Sequence, residues 1–391
     1  MNSIALYTLQ AELGWRGVMF SLGLLFLLHV TAEGAISPIS CYNDQGESVD
    51  WLYLYKLPHH SRSHAPRDEG LRYLLMGRGS EGWTEGAVLV NDSTGALGRT
   101  VGQLYEQNSE MAYVLYNDQK PRDGEETGAR GERNERGHTK GVVLVDKTQG
   151  FWLVHSTPHF PPMKESGKFS YPHSGVTNGQ NFICVTYPVE RFQTIGEQLQ
   201  INEPLIYDCS VPESLASVLP ALAEVCGRSK REQGNASLSH SALLSSYPSN
   251  RSVSLSSSGG TNFISFAKSA SFANDLYHSW VAPALQSDLL VQFWRRSEGV
   301  LPSDCSQGWK VLNVETISLG EQVTFSSTLD HSKWAVSADP GAADGEGGWV
   351  CVGDINRNEA EEKRGGGTVC QRDAAVWKAY RNAVKESYPC N

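Results

Sequence analysis

Two tripeptides of the form His-x-Lys constrain this chain more than any other feature: His138-Thr139-Lys140 and His331-Ser332-Lys333, 193 residues apart. Each adjoins a run of β-type residues, and each is followed by an aspartate at the same offset, Asp146 and Asp339. Residues i and i+2 of a strand project to the same side. Each tripeptide therefore presents an imidazole beside an ammonium. If the couples act together, the fold must bring two distant strands to one place, which a chain of two similar halves does most simply.

The chemistry such a pair supplies is specific. Cleaving a phosphodiester needs a nucleophile, positive charge on the non-bridging oxygens and an acid for the leaving alkoxide. A neutral imidazole attacks phosphorus, a protonated one feeds the leaving oxygen, and two lysines offset the developing charge without a metal. A single His-x-Lys among 11 histidines carries no information; two beside strands do. Asp146 and Asp339 either orient their histidines or are turn residues, and the frequency of Asp in turns favours the second reading.

The remaining sequence describes an exported protein. Val18 to Val30 is almost wholly apolar, follows Arg16 and precedes the small residues Ala32, Gly34 and Ala35. It is shorter than the roughly 20 residues that cross a bilayer and reads as a signal peptide over 1–34, not an anchor. Eight cysteines without a CxxC pair suggest disulfides. The sequons at Asn91, Asn235 and Asn250 could accept glycans. The formal charge of -10 opposes binding of a polyanion at neutral pH. Ten histidines remain after residue 34 and, all charged in an acidic compartment, would cancel that charge.

Alternating or β-rich segments mark strands at 49–55, 87–90, 111–116, 141–145, 151–154 and 182–187, and later at 289–294, 310–314, 322–327 and 349–352. Three- and four-residue apolar spacing marks helices over 212–226, 272–285 and 374–388. A polar loop between Gln119 and Arg136 leads into His138. The serine-rich stretch 229–258 holds two sequons and reads as a glycosylated surface linker. It divides the mature chain into halves at 35–228 and 259–391, each mixing strands with helices, an α/β or α+β class.

Several segments resemble the deoxyribonuclease II family of acid deoxyribonucleases. Arg136-Gly137-His138-Thr139-Lys140-Gly141 and Asp330-His331-Ser332-Lys333-Trp334 are similar to its two signatures. Trp51 to Pro58, Tyr113 to Asp118, Phe151 to Ser156, Cys351 to Asn358 and Gly365 to Cys370 are similar as well, so the resemblance runs from Cys41 to Cys390. It implies a phospholipase D-like fold of two like halves with one active site at their interface. It also implies metal-independent cleavage of DNA at acid pH to 3′-phosphate and 5′-hydroxyl ends, in lysosomes, on DNA of dead or engulfed cells. By position, His138, Lys140, His331 and Lys333 become the catalytic set, with the choice of nucleophile open. Gly353-Asp354-Ile355-Asn356 stands near the Gly-Ser-x-Asn that usually follows such motifs, with Asp for Ser and a longer gap, and offers Asn356 as an oxygen ligand. The first half has no clear equivalent. The resemblance also implies the pairs Cys41–Cys184, Cys305–Cys390 and Cys351–Cys370, with Cys209 and Cys226 remaining for each other; spacing alone fixes none of them.

His59, His60 and His64, and His155, His159 and His173, match no zinc spacing and read as solvated surface histidines, so no metal or other cofactor is expected. Trp83 and Trp309 are candidates to stack on bases, though core packing is the simpler reading, and Trp334 is expected to pack behind the second motif. Two other functions fit the same residues: a phospholipase D-like hydrolase of another phosphodiester, and a non-enzymatic glycoprotein that binds polyanions. Neither subunit number nor proteolytic maturation is readable.

Overall fold

A computed structural model describes residues 38–59, 70–106, 110–121, 136–234, 247–320, 323–339 and 347–390. The signal segment, Asn235, His60, His64 and most of the polar loop before His138 lie outside the described residues.

An eight-stranded antiparallel sheet runs in the order Ile206–Ser210, Ala112–Asn117, Lys140–Val145, Gln149–His155, Gln180–Pro188, Trp51–Lys56, Tyr73–Gly77, Thr84–Glu85. A ten-stranded sheet follows in sequence. Its main path is Asn250–Ser256, Asn262–Lys268, Gly366–Arg372, Trp349–Gly353, Trp334–Ser337, Leu289–Gln292, Trp309–Leu319, Asp304–Gln307. Val323–Ser326 and Val384–Ser387 also pair with the long Trp309–Leu319 strand. Within this sheet Leu289–Gln292 runs parallel to Trp309–Leu319.

The central strands are apolar on both faces because both faces are covered. In Trp51–Lys56, Tyr53 and Tyr55 point into a core shared with Trp334, Val336, Val352 and Tyr380 of the second sheet and its helix. Leu52 and Leu54 point the other way, onto Leu97 and Val101 of the Ala96–Gly102 helix. Tyr380 joins the two sides, its ring 5.9 Å from Tyr53 and 5.2 Å from Trp334. Helix Arg191–Asn202 adds Phe192, Ile195 and Leu199 to the same core. Its Gln198 donates to the carbonyls of Arg251 and Ser265 at 3.2 and 3.1 Å. Phe192, Ile195 and Leu199 keep three- and four-residue spacing, a helical signal in a segment not expected to be a helix.

Four disulfides join Cys41 to Cys184, Cys209 to Cys226, Cys305 to Cys390 and Cys351 to Cys370, the pairing the resemblance implies. Cys351 and Cys370 face each other directly across two antiparallel strands.

Some expected elements change. Residues 87–90 are not a strand, because Ala87 N–H goes to Asp44 Oδ2 (2.8 Å) and Val90 N–H to the Leu71 carbonyl (2.9 Å) instead of to a ladder. The last helix stops at Ala383, and Val384–Ser387 pairs with the edge of Trp309–Leu319. The helix expected over 272–285 begins late: Asp275 caps the amides of Tyr277 and His278 (3.1 and 3.4 Å), a π turn covers Tyr277–Val281, and α-helix covers only Ala282–Leu285. The 212–226 pattern divides into Glu213–Ala216 and Pro220–Gly234. The serine-rich stretch is also shorter as a linker than 229–258: the helix runs through Gly234, and Asn250–Ser256 is an edge strand whose serines alternate with Val253 and Leu255. Asn91 is exposed and Asn250 partly so.

Candidate active site

The first couple sits where chain segments crowd. Gly137 N–H donates to the Glu203 carbonyl (2.8 Å) and His138 N–H to the Gly365 carbonyl (2.9 Å). A Cβ at 137 would lie 2.0 Å from the Asn202 carbonyl oxygen, so only glycine permits this approach. Lys140 then opens its strand, fully buried. His138 Nδ1 lies 2.7 Å from Glu361 Oε1. A carboxylate only accepts, so Nδ1 carries the proton, and Nε2 is left 3.8 Å from Asp118 Oδ2. Asp118 pairs with the Lys140 ammonium and, at 3.2 Å, with Arg364. A second Arg364 nitrogen stands 3.4 Å from Glu361 Oε1. The buried Lys268 ammonium donates to the carbonyls of Glu361 and Glu362, both at 3.0 Å, and to that of Arg364, which fixes this turn.

The second couple has different company. Lys333 is buried and His331 only partly so. His331 N–H donates to the Gly179 carbonyl (2.9 Å), and its Nδ1 lies 2.9 Å from the Ser156 carbonyl and 3.3 Å from Gln180 Oε1. Those acceptors place the proton on Nδ1 and leave Nε2 with its lone pair. Lys333 Nζ is 3.1 Å from each ring nitrogen. Asn181 bridges the Lys333 backbone, accepting from its N–H (2.9 Å) and donating to its carbonyl (3.0 Å). Trp334 packs behind, its Nε1 donating to the Tyr55 hydroxyl at 3.2 Å, as the sequence suggested.

The holding is reciprocal. His138 and Lys140, at the edge of a first-sheet strand, are bonded to Glu361, Gly365 and Asp354 from the second part of the chain; the Lys140 amide donates to Asp354 Oδ2 at 3.2 Å. His331 and Lys333, just before a second-sheet strand, are bonded to Ser156, Gly179 and Asn181 from the first. The couples also lie within each other's field. Lys140 and His138 add to the forces that discharge His331, and Lys140 does the same to Lys333.

Protonation follows from these neighbours. Burial lowers His138, while Glu361 and Asp118 hold it up, so it titrates below its ordinary 6.5 but keeps two carboxylate partners. Burial lowers His331 well below 6.5, and Lys333, Lys140 and His138 push it further; the hydrogen bond to the Ser156 carbonyl works against them without outweighing them. Burial likewise puts Lys333 well below an ordinary lysine. Burial alone would raise Glu361, but His138 and Arg364 outweigh it and hold the carboxyl at about 2. The same contest, won by Lys140, His138 and Arg364, keeps Asp118 well below the usual range. Burial pushes Asp354 up to about 7.

All four residues singled out in the sequence are thus brought together. Asn356 joins them: its Oδ1 accepts from Trp294 N–H (3.1 Å), which turns its Nδ2 toward His138 Nδ1 at 3.4 Å. Both atoms are donors, so this is a contact and not a hydrogen bond. Asp146 is a turn residue, accepting from Thr148 N–H (2.7 Å) and Gln149 N–H (3.0 Å). His155 corrects its expectation as a surface residue. It is buried against Phe160 and Phe182, and burial drives it well below 6.5. Trp83 packs on Tyr55 and Tyr380, in the core. Among the described residues no group of His, Cys, Asp and Glu has the geometry of a metal site.

Sequence reasoning missed Asp118, Glu361, Arg364, Asp354, Lys268, Ser156 and Gln180. Asp118 closes a family-like segment. Glu361 lies in Glu359-Ala-Glu-Glu-Lys-Arg, which reads as a solvated helix face.

The family model for deoxyribonuclease II matches residues 40–390. The chain is 44% identical to a protein named deoxyribonuclease-2-alpha from Sus scrofa, over 91% of this chain and 92% of that one. It is 36% identical to deoxyribonuclease-2-beta from Homo sapiens, over 93% and 95%, and 35% identical to plancitoxin-1 from Acanthaster planci, over 95% and 98%.

Proposed function

This chain belongs to the deoxyribonuclease II family, and from that membership we propose that it is an acid endodeoxyribonuclease that hydrolyses DNA through a phosphohistidine, without a metal ion. The observation that carries the reading is the reciprocal clasp, in which each His-x-Lys couple is held by residues from the other part of the chain. Such an arrangement suits one phosphorus gripped from two sides, and it suits two phospholipase D-like halves, 35–228 and 259–391.

The unequal company of the histidines divides the labour. His331, discharged by burial and by three cations, is the nucleophile; His138, with Glu361 and Asp118 beside it, is the acid. Nε2 of His331 attacks phosphorus in line with the 5′-oxygen. The nitrogen–phosphorus bond forms as the phosphorus–oxygen bond breaks, and His138 Nε2 gives its proton to the departing oxygen. Lys140, Lys333 and the Asn356 amide hold the non-bridging oxygens, supplying the charge a metal would otherwise bring. Neutral His138 then takes a proton from water, whose oxygen displaces His331. The products are a 3′-phosphate and a 5′-hydroxyl.

The acid must be charged at the start, and His138 titrates below 6.5. Activity is therefore present at acidic pH and lost as pH rises through the lowered His138 pKa, before 6.5 is reached. This acid requirement, the signal segment, three sequons and four disulfides together favour a lysosomal enzyme reached through the secretory pathway, acting on DNA of dead or engulfed cells.

The test is plasmid DNA at about pH 5 in excess chelator. Cleavage is expected, with 3′ ends that a polymerase extends only after phosphatase treatment. Loss of activity on chelation, or 5′-phosphate ends, would overturn the mechanism; hydrolysis of a phospholipid in place of DNA would overturn the substrate.

A further inference from the structure

Beside the reacting imidazole stands an aromatic ring that none of the chemistry above uses. Trp294 is partly open to solvent, and its indole lies edge-on to His331 with ring centres 5.3 Å apart. Its position is fixed from behind. Its backbone N–H donates to Asn356 Oδ1 (3.1 Å), and its backbone carbonyl accepts from Ser297 Oγ (3.0 Å). The loop that follows is tied to the Asn356 segment by Glu359 N–H on the Gly299 carbonyl (2.9 Å) and by a bridge between Val300 and Asn358. Outside the indole lies the exposed Arg296, its guanidinium 5.5 Å from the ring. Its neighbour Arg295 is used differently, stacked on Tyr388 at 4.3 Å and against Phe293. Among the described residues Arg296 has no carboxylate partner.

We infer that Trp294 and Arg296 form a nucleotide subsite next to the scissile phosphate, the indole stacking on an unpaired base and the guanidinium taking the adjoining phosphate. The inference rests on the reading of His331 as a reacting group. An aromatic face flanked by a cation suits single-stranded nucleic acid: every base offers a π face, and arginine reinforces the stack. The backbone fixes the ring, His331 lies against one side of it and Arg296 against another, and the indole remains partly open to solvent.

Trp294→Ala should raise KM for a single-stranded oligonucleotide about tenfold or more and change kcat much less. Trp294→Phe should keep most of the affinity. The effect of the alanine should vanish on an oligonucleotide that lacks the base on one side of the cleaved bond. Arg296→Ala, a surface change that does not threaten folding, should raise KM several-fold and lower the salt slope of binding by roughly one counterion. An unchanged KM in both variants, or an equal loss on intact and abasic strands, would overturn the subsite while leaving the nuclease reading intact. Failure of the unaltered enzyme to cut any DNA would overturn that reading instead.

Discussion

The two histidines of this site occupy similar places in sequence and opposite places in electrostatics. His138 is flanked by Glu361 at 2.7 Å and Asp118 at 3.8 Å. His331 is flanked by a carbonyl at 2.9 Å and an ammonium at 3.1 Å. Two imidazoles that began alike would titrate together and serve as acid and nucleophile only by chance. Unequal partners hold one toward its charged form and the other toward its neutral form, which is how environments assign roles to identical side chains. The lesson reaches beyond the motif: His-x-Lys provides the groups, and partners that include Glu361 and Ser156, each more than 100 positions from the histidine it meets, set their electrostatics apart.

The strongest attempt to break this contrast is to remove each ring in turn. His331→Ala should abolish turnover and leave no phosphoenzyme with any substrate. His138→Ala should cost about 10²–10⁴ in rate on DNA, yet still form phosphoenzyme from a p-nitrophenyl ester, whose leaving group needs no proton. Rapid quenching with acid-labile phosphate analysis reads both. Phosphoenzyme in the His331 variant and none in the His138 variant would exchange the roles.

A smaller change blunts the contrast without deleting it. Glu361→Gln keeps the shape but withdraws the charge that supports imidazolium at His138. The rate should fall roughly tenfold or more, and the alkaline limb of the pH profile should move to lower pH by on the order of one unit. A shift to higher pH would reject the assignment of His138 as acid. The same substitution has a stability signature. Folding holds Glu361 at about 2 against an ordinary 4.5. A carboxyl lowered in this way contributes stability that is present above pH 4.5 and lost as pH falls toward 2. Acid unfolding of the glutamine variant should lack that part of the transition.

These partners explain where sequence reading stops. The couples themselves were legible because i and i+2 share a strand face, and Lys140 does open a strand while Lys333 directly precedes one. Most strands were legible too, since both faces of each sheet are covered and their residues run apolar. Helix Arg191–Asn202 was legible only in part: Phe192, Ile195 and Leu199 keep helical spacing, but Gln198 and Gln200 are buried through hydrogen bonds that composition cannot announce. The site's carboxylates were hidden for the same reason. Glu361 and Glu362 are neighbours in an acidic run, and only the fold turns one of them onto a histidine. The disulfides came from resemblance, since spacing permits many pairings.

Lys268 sharpens the comparison at its support. It bonds three carbonyls of the turn that carries Glu361 and Arg364, and burial lowers it to about 8 despite Glu361 and Asp275 nearby. It thus remains an ammonium at acid pH. Lys268→Met leaves those carbonyls without their donor and should reduce kcat several-fold, with the alkaline limb shifted in the same direction as in Glu361→Gln, since the same partner of His138 is loosened. Loss of thermal stability with an unshifted profile would make Lys268 a structural residue only. Lys268→Arg should restore part of the rate.

The smallest effect is expected where sequence symmetry was most suggestive. Asp146 and Asp339 follow their lysines at the same offset, yet Asp146 Oδ1 accepts from Thr148 N–H and Oγ1, both at 2.7 Å, and from Gln149 N–H, while its Oδ2 accepts from Ile39 N–H at 3.4 Å. It closes the turn between Lys140–Val145 and Gln149–His155 and does not touch His138. Asp146→Ala should lower Tm by a few degrees, in keeping with about 1 kcal/mol for a lost turn cap, and leave kcat and its pH profile within twofold of the unaltered enzyme. A tenfold fall in kcat at unchanged Tm would restore the aspartate as an orienting partner. The matched offset would then mark a shared catalytic design; the hydrogen bonds of Asp146 instead make it the residue that turns its strand away from the site.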